Sequence, residues 1–498
     1  MKQFSLCVDE RHFYELSTLV REFFPLCTVL SEKQDGCPGI SLSGTNPDIV
    51  SGLLFDENGR KILSLSVTDP FDDFQGERWK NLAKICIFRL LTEAQAPWGS
   101  KKPLPWGILT GVRPSKIAYA YLEEGKQPYE IVSILKDHYL LREDKAALSA
   151  KVAFSERRLM ASQNGNDISI YVGIPFCPTR CSYCSFISSD ARSFRKYSED
   201  YLKMLIREIR AGGEMLKNLP GEGKIRSLYM GGGTPTTLSE EQLRILLEEC
   251  ENAFYLSDLL EVTVEAGRPD TITREKLMAL KEAGVGRISI NPQTMVQATL
   301  DRIGRHHTTE QVEEAFHLAR EIGGFIINMD LILGLPGEGL EDVIHTLNKV
   351  KELKPDNLTV HTLAVKRSSR MNEVGDGERL LMEDPEKMAD QIDEMITLSA
   401  KTAAELGLYP YYMYRQKNMA GNFENVGYSL PGKEGLYNIE IMEERQSIIA
   451  FGAGGVSKIY TPDINRIERV PNVKGVEEYI RRIDEMIQRK KEGLKTHA

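Results

Sequence analysis

Between residues 166 and 370 the sequence alternates short apolar runs with longer amphipathic ones, and few architectures accept that rhythm. The apolar runs begin near Ile168 (ISIYVGIPF), Ile225 (IRSLYMGGG), Leu259 (LLEVTVEAG), Arg287 (RISINPQ), Phe325 (FIINMDLILGLPG) and Asn357 (NLTVHTLAV). The periodicity between them predicts helices over 196–217, 240–253, 273–283, 310–322 and 340–353, with Ser239 as a cap and Gly284 and Gly323 as terminators. Strand-then-helix order predicts a parallel sheet, because parallel neighbours need a crossover connection. A closed eight-unit barrel takes about 250 residues, so six units in about 200 predict a partial (β/α)6 TIM-like barrel, open on one side. Residues 1–165 mix strand signals (KILSLSVTD) with helical ones (NLAKICIFRLLTEA) and predict an N-terminal α+β domain, with SQNGND (162–167) as its linker. Residues 371–498 predict a mostly helical C-terminal extension, led by a helix over 386–406 that Gly407 ends. The expected domains are therefore 1–165, 166–370 and 371–498.

Composition narrows the function classes. Lys plus Arg number 63 against 72 Asp plus Glu, a net charge of -9, which argues against a nucleic-acid binder. The apolar run FIINMDLILGL is broken by Asn328 and Asp330, and none reaches the roughly 18 residues of a membrane span. The opening MKQFSLCVDERHF lacks the apolar core of an export signal, so a cytoplasmic, reducing setting is expected.

Eight cysteines in 498 residues are too few for a disulfide framework. Cys7, Cys27, Cys37, Cys86 and Cys250 are scattered. Cys177, Cys181 and Cys184 instead share the segment YVGIPFCPTRCSYCSF (171–186), directly after the first strand of the α/β region. Ligands in parallel α/β folds gather at the carboxyl ends of strands. Three close thiolates can hold zinc or an iron–sulfur cluster. Structural zinc asks for a fourth protein ligand, yet no His occurs between His138 and His306 and the next Cys is Cys250. A [4Fe–4S] cluster prefers thiolates, and three leave one iron open to a non-protein ligand. One unit later, MGGGTPT (230–236) supplies glycines that let backbone N–H groups approach a ligand.

This C-x3-C-x2-C spacing after the first strand, with GGGTPT following, resembles the radical S-adenosylmethionine (radical SAM) superfamily. The resemblance implies that Cys177, Cys181 and Cys184 hold a [4Fe–4S] cluster. Its open iron would chelate S-adenosylmethionine, which the reduced cluster cleaves to a 5′-deoxyadenosyl radical. It implies that Gly232, Gly233 and Thr234 bind the methionyl amino group and that Glu265 lies near the ribose. Gln293, Arg305 and Asp330 match contacts to the nucleoside and the methionine carboxylate. Tyr171, Tyr183 and Ala364 match further pocket positions, and Tyr171, Glu265 and Arg305 are the expected catalytic residues. Within the superfamily, YVGIPFC, GGGTPT, the Gln293–Arg305 pair and DLILGLP are similar to the oxygen-independent coproporphyrinogen III oxidase group. WGILTGVRPSK (106–116), YRQKNMAGNFENVGYS (414–429) and FGAGGVSK (451–458) are similar to its HemZ-type dehydrogenase branch. That likeness implies oxidative decarboxylation of two propionates of coproporphyrinogen III to give protoporphyrinogen IX in heme biosynthesis. It also implies a tetrapyrrole or heme as partner and a reduced flavodoxin- or ferredoxin-type electron donor. A tetra-anionic macrocycle needs cations, and Arg180, Arg192, Arg195, Arg367 and Arg415 are candidates by position.

The chain also departs from that group. Phe186 stands where the oxidase carries a fourth Cys, and Gly173 where it carries a His. Phe at that place is shared with the related heme chaperones, which carry an HNxxYW motif after the barrel. Here the stretch is Glu424, Asn425, Val426, Gly427, Tyr428, Ser429, so Asn and Tyr remain while His and Trp do not. Losing the His removes an axial iron ligand. The alternatives to a coproporphyrinogen dehydrogenase are a heme chaperone and a radical SAM enzyme acting on another tetrapyrrole.

Overall fold

The computed structural model describes the chain except residues 1, 26, 45, 69–73, 95–101, 185–190, 218–222, 365–370, 372–384, 417–418 and 496–498. Its residues form two compact units. The first takes in 1–158 together with 413–418 and 422–424, and the second holds the remainder.

In the first unit, β1 (Gln3–Cys7), β2 (Thr28–Leu30), β3 (Gly39–Ser43), β4 (Val50–Phe55) and β5 (Lys61–Val67) form one sheet in the order β2-β1-β3-β4-β5. β1 runs parallel to both neighbours, and the other pairs are antiparallel. The helix Arg78–Glu93 packs on β4 and β5 and against the helix Glu10–Phe23. Leu82, Ile85, Leu90, Leu16 and Leu19 are buried between them. This is the α+β arrangement expected for the N-terminal residues.

The second unit is built on one sheet of eleven strands. β6 (Ile168–Ile174), β7 (Ile225–Gly232), β8 (Glu261–Glu265), β9 (Arg287–Ser289), β10 (Ile326–Leu333) and β11 (Asn357–Thr362) lie side by side in chain order, all parallel. Sheets covered on both faces read as near-continuous apolar runs, and in β6 all residues but Tyr171 are buried. The crossover helices start where caps can satisfy free N–H groups. Ser239 with Gln242 opens Glu240–Phe254, and Thr308 with Gln311 opens Thr309–Ile322.

The residues after 370 contribute helices and also five strands. β12 (Tyr409–Tyr414) and β13 (Asn425–Ser429) lie beyond β11, and β13 is antiparallel to it. β14 (Ser447–Phe451) adds to β6 as a seventh parallel neighbour, followed by antiparallel β15 (Val456–Thr461) and β16 (Arg466–Pro471). The sheet thus runs in one open order from β12 to β16, a partial TIM-like barrel with added edges.

The helix Leu436–Glu443 stops the amino end of this barrel. The Leu436 N–H donates to Glu261 at the start of β8 at 2.7 Å. Glu440, fully buried, accepts from Ser227 at 2.7 Å and from Ser169, and lies 3.4 Å from the Arg226 guanidinium. Burial pushes the Glu440 carboxyl up, and the serine hydrogen bonds oppose it. Among the described residues this helix covers the amino ends of β6, β7 and β8.

Candidate active site

At the carboxyl end of the strands the backbone leaving β6 meets the backbone leaving β7. Gly233 N–H donates to Ile174 O at 2.8 Å and Thr234 N–H to Phe176 O at 2.7 Å. A Cβ at Gly233 would stand 2.4 Å from Phe176 O, so only glycine lets the two segments approach this closely. Gly232 has φ +103°, a second position that favours glycine. This pairing sets the cysteine segment over the GGGTPT turn. The Cys177 Sγ lies 3.5 Å from the Thr234 Oγ1.

The three thiols are free of disulfides. Cys181 is buried, and Cys177 and Cys184 are partly exposed. The Ser182 N–H donates to Ile303 O at 2.9 Å, and Cys184 N–H to Cys181 O at 3.2 Å. Among the described residues no three of His, Cys, Asp and Glu stand gathered as a metal site. The donor chemistry still fits a cluster that takes three thiolates. They sit in one loop at the strand ends, and thiolates are the ligands such a cluster prefers.

Beside the loop, Arg305 is buried. Its Nη1 donates to the Tyr183 hydroxyl at 3.2 Å and its Nη2 to Gly267 O and Asn291 O, each at 2.7 Å. Its Nε is buried with no partner among the described residues. Tyr183 packs on Leu300, Ile303, Ile332, Leu335, Leu363 and Met371. Burial raises the Tyr183 phenol well above its ordinary range, against the pull of the Arg305 charge. Gln293 holds φ +67°, costly for a side chain with a Cβ, at about 1–3 kcal/mol. Its N–H donates to Asp330 O at 2.9 Å and its carbonyl accepts from Ile332. Its Oε1 is buried without a partner among the described residues. Unpaired buried polar atoms cost about 1–3 kcal/mol each. Arg305 and Gln293, joined through Asn291 and Asp330, each carry one such atom.

The remaining expected residues line β6, β7, β8, β10 and β11. Tyr171 and Tyr229 are register partners, their rings 6.4 Å apart at 14°. Tyr229 stacks in turn on Tyr437, at 4.6 Å and 20°. The Tyr229 hydroxyl donates to Glu265 at 2.5 Å. Burial, opposed by that hydrogen bond and aided by the Asp330 charge, pushes the Glu265 carboxyl up to about 7. Asp330 accepts from Asn328 at 2.7 Å and has His361 Nε2 at 3.9 Å. Burial alone would raise its carboxyl, but His361, Asn328 and Thr359 outweigh it and hold the group below its usual range. Ala364 follows β11 and bridges to Met419, next to Leu363 of the cluster that packs Tyr183.

Tyr171 and Glu265 thus meet around Tyr229. Gln293, Asp330, Arg305 and Tyr183 are joined through Asn291. Cys177 reaches the Gly232–Thr234 turn through Thr234, while Ala364 pairs with Met419. Sequence reasoning missed Tyr229, Tyr437 and Asn291. Period-two spacing puts Tyr229 on the face of Gly231, a usable signal. Tyr437 arrives from the far end of the chain and carries none.

The candidate cations fare differently. Arg415 is buried and committed: it donates to Leu109 O, to Asn422 O at 3.0 Å and to Glu22 at 3.2 Å. It is a structural residue of the first unit, a correction to its place among substrate-binding candidates. Arg180 is partly buried and Arg195 exposed. The side chains of Arg192 and Arg367, and Phe186, lie outside the described residues. At Gly173 a Cβ would press on Phe451 O at 3.3 Å and the Tyr171 ring at 3.4 Å, so β14 leaves little room there for an imidazole.

Comparison with known proteins agrees with this geometry. The family described as the radical SAM superfamily matches residues 171–350. The oxygen-independent coproporphyrinogen-III oxidase-like protein HemZ of Bacillus subtilis is 38% identical over 491 residues, which is 96% of this chain and 94% of that protein. The heme chaperone HemW of the same organism is 33% identical over 289 residues, 57% of this chain and 69% of its own. The coproporphyrinogen III oxidase HemN of Escherichia coli, a solved radical SAM enzyme, shares the fold with a TM-score of 0.51 at 23% identity, over 67% of this chain and 73% of that one. No described helix is long and apolar enough to cross a membrane. The chain belongs to the radical SAM superfamily, in its HemN/HemZ group, and its cofactors are a [4Fe–4S] cluster and S-adenosylmethionine.

Proposed function

We propose that the chain is an oxidoreductase that turns two propionates of coproporphyrinogen III into vinyl groups, taking its electron from a reduced flavodoxin- or ferredoxin-type donor. When bound, the cluster and S-adenosylmethionine would supply a 5′-deoxyadenosyl radical that takes a hydrogen atom from the propionate β-carbon and leaves as 5′-deoxyadenosine; loss of CO2 and of one electron, to a one-electron acceptor, then gives the vinyl group. The chain's own residues would do the rest. Gly232, Gly233 and Thr234 offer backbone and hydroxyl groups to the methionyl end. Arg305 offers its free Nε, and Glu265 accepts hydroxyl hydrogens from the ribose. The Leu436–Glu443 helix covers the opposite, amino end of β6, β7 and β8 and so limits the water that could reach a radical from that side. Cys177, Cys181 and Cys184 hold the cluster.

The observation that carries the choice is Glu424. It stands where the chaperones keep their His, and it is committed. Lys145 Nζ donates to it at 2.6 Å and Trp106 Nε1 at 2.9 Å, with both charged groups buried. No imidazole is offered to heme iron at that place, which favours turnover of a macrocycle over carriage of heme. Trp106 opens WGILTGVRPSK, so this pair also accounts for that segment.

Anaerobic incubation of reconstituted protein with coproporphyrinogen III, S-adenosylmethionine and a strong reductant is expected to give protoporphyrinogen and 5′-deoxyadenosine together. Deoxyadenosine without decarboxylated tetrapyrrole would remove the dehydrogenase reading. Stoichiometric heme binding with transfer to an acceptor protein would install the chaperone reading in its place.

A further inference from the structure

Ser182 and Tyr183 fasten the second interval of the cysteine loop, and the first interval has its own anchor. Thr179 stands midway between Cys177 and Cys181. Its hydroxyl donates to Gly304 O at 3.0 Å and accepts from Arg268 Nη1 at 3.0 Å. The Thr179 carbonyl lies 3.5 Å from the same nitrogen. Arg268 follows β8 and is 3% exposed. Its other two nitrogens are held by the Asp270 carboxylate, each at 3.0 Å. Bidentate pairing fixes the plane of the guanidinium, so its remaining edge is aimed at the loop. A buried cation is costly and needs a partner. Asp270 meets that need, leaving Thr179 as a contact the stability of the pair does not require. The charge itself is felt nearby: burial first, then Arg305 and Arg268, push buried His307 down to about 3.

We propose that Arg268 is a positioning residue for the cluster: through Thr179 it sets the Cys177–Cys181 turn, and its buried charge favours the reduced state of the iron. This rests on the three thiolates holding the cluster. Cluster potentials follow local charge, hydrogen bonding and solvent access. Supporting residues around metal ligands commonly change affinity by about 10–100-fold.

The test uses full-length protein reconstituted anaerobically, read by an EPR-monitored redox titration and by the rate of iron loss to a chelator. Arg268→Gln is expected to move the midpoint to a more negative potential and to speed iron loss by about tenfold. Arg268→Lys should return the potential toward the parent value. Thr179→Val, which keeps the charge, should speed iron loss to a similar degree with the potential nearly unmoved. Parent-like potential and parent-like iron loss in Arg268→Gln would overturn the proposal. Should that variant not fold by circular dichroism, parent-like iron loss in Thr179→Val overturns it instead. Cys181→Ala separates the two readings. A cluster retained there refutes the ligand assignment and this proposal with it. A cluster lost there, with both anchor variants parent-like, refutes only the role of Arg268.

Discussion

Single side chains give the sharpest expectations. Glu265 is a buried carboxyl with a neutral-range pKa at the end of β8, bonded to the Tyr229 hydroxyl, and Glu265→Gln removes its charge while keeping its shape. If it accepts the ribose hydroxyls, the dissociation constant for S-adenosylmethionine should rise about tenfold, as loss of a charge-assisted hydrogen bond implies. Equilibrium dialysis on the reconstituted protein reads this directly. His307 predicts a pH effect. Its folded pKa, about 3, lies below its ordinary 6.5. Between those values the unfolded chain binds a proton that the folded chain refuses, so stability is complete above pH 6.5 and falls as the pH drops toward 3. The slope is at most about 1.4 kcal/mol per pH unit for one group. His307→Phe should flatten that part of a urea-midpoint profile, and an unchanged profile would remove the assignment. Of these residues Glu265 is legible in VTVEAG, a carboxylate ending an apolar strand. His307 is not, because nothing in RHHTTE says which of two adjacent histidines is enclosed.

Among the elements, strand starts and crossover helices follow from local pattern. The run near Leu259 becomes a strand at Glu261, with Leu259 closing a turn on Leu256 and Leu260 making one backbone bond to Arg226 O, and that near Phe325 becomes one at Ile326. The helix expected from 196 begins at Ala191. Gln297–Arg302 was missed, being too short for a periodicity to register. β12 to β16 were also not separated out, since strands that extend an edge answer to a neighbour distant in sequence. The attachment of the last helix shows such a distant partnership. Lys490, on the helix Ile483–Lys495, donates to Glu208 on Ala191–Leu216 at 2.5 Å. Both side chains are buried, and Asn472 and Tyr479 also bond Glu208. Lys490→Met leaves a carboxylate enclosed without its cation and should cost about 3–5 kcal/mol in urea unfolding. Adding Glu208→Leu should recover part of that loss, since an apolar pair needs no compensation.

For the whole molecule, the partial barrel and its cofactors were legible because the cysteine spacing and the strand-end glycines are local. The composition of the first unit was not. Residues 413–418 and 422–424 join it from late in the chain, and Glu424 meets Lys145 across nearly three hundred residues. Restoring the chaperone-type residue by Glu424→His should therefore fail to create a heme site. It should instead leave the buried Lys145 with the half-exposed Asp144, 3.6 Å away, as its remaining counter-charge, with an expected loss of about 1–3 kcal/mol and no heme absorbance band. A stable variant that binds heme would overturn the reading of Glu424 as an ion-pair residue.

The place of β14 beside β6 has one more implication, for synthesis. About 270 residues separate the end of β6 from the start of β14. At 5–20 residues per second a ribosome needs roughly 14–55 s to cover that distance. Until then β6 presents one bare row of backbone donors and acceptors, the kind of margin that recruits strands from other chains. On a crowded polysome, neighbouring nascent copies bear the same margin. Soluble yield should therefore respond to translation speed and chaperone supply more than to the thermal resistance of the finished protein.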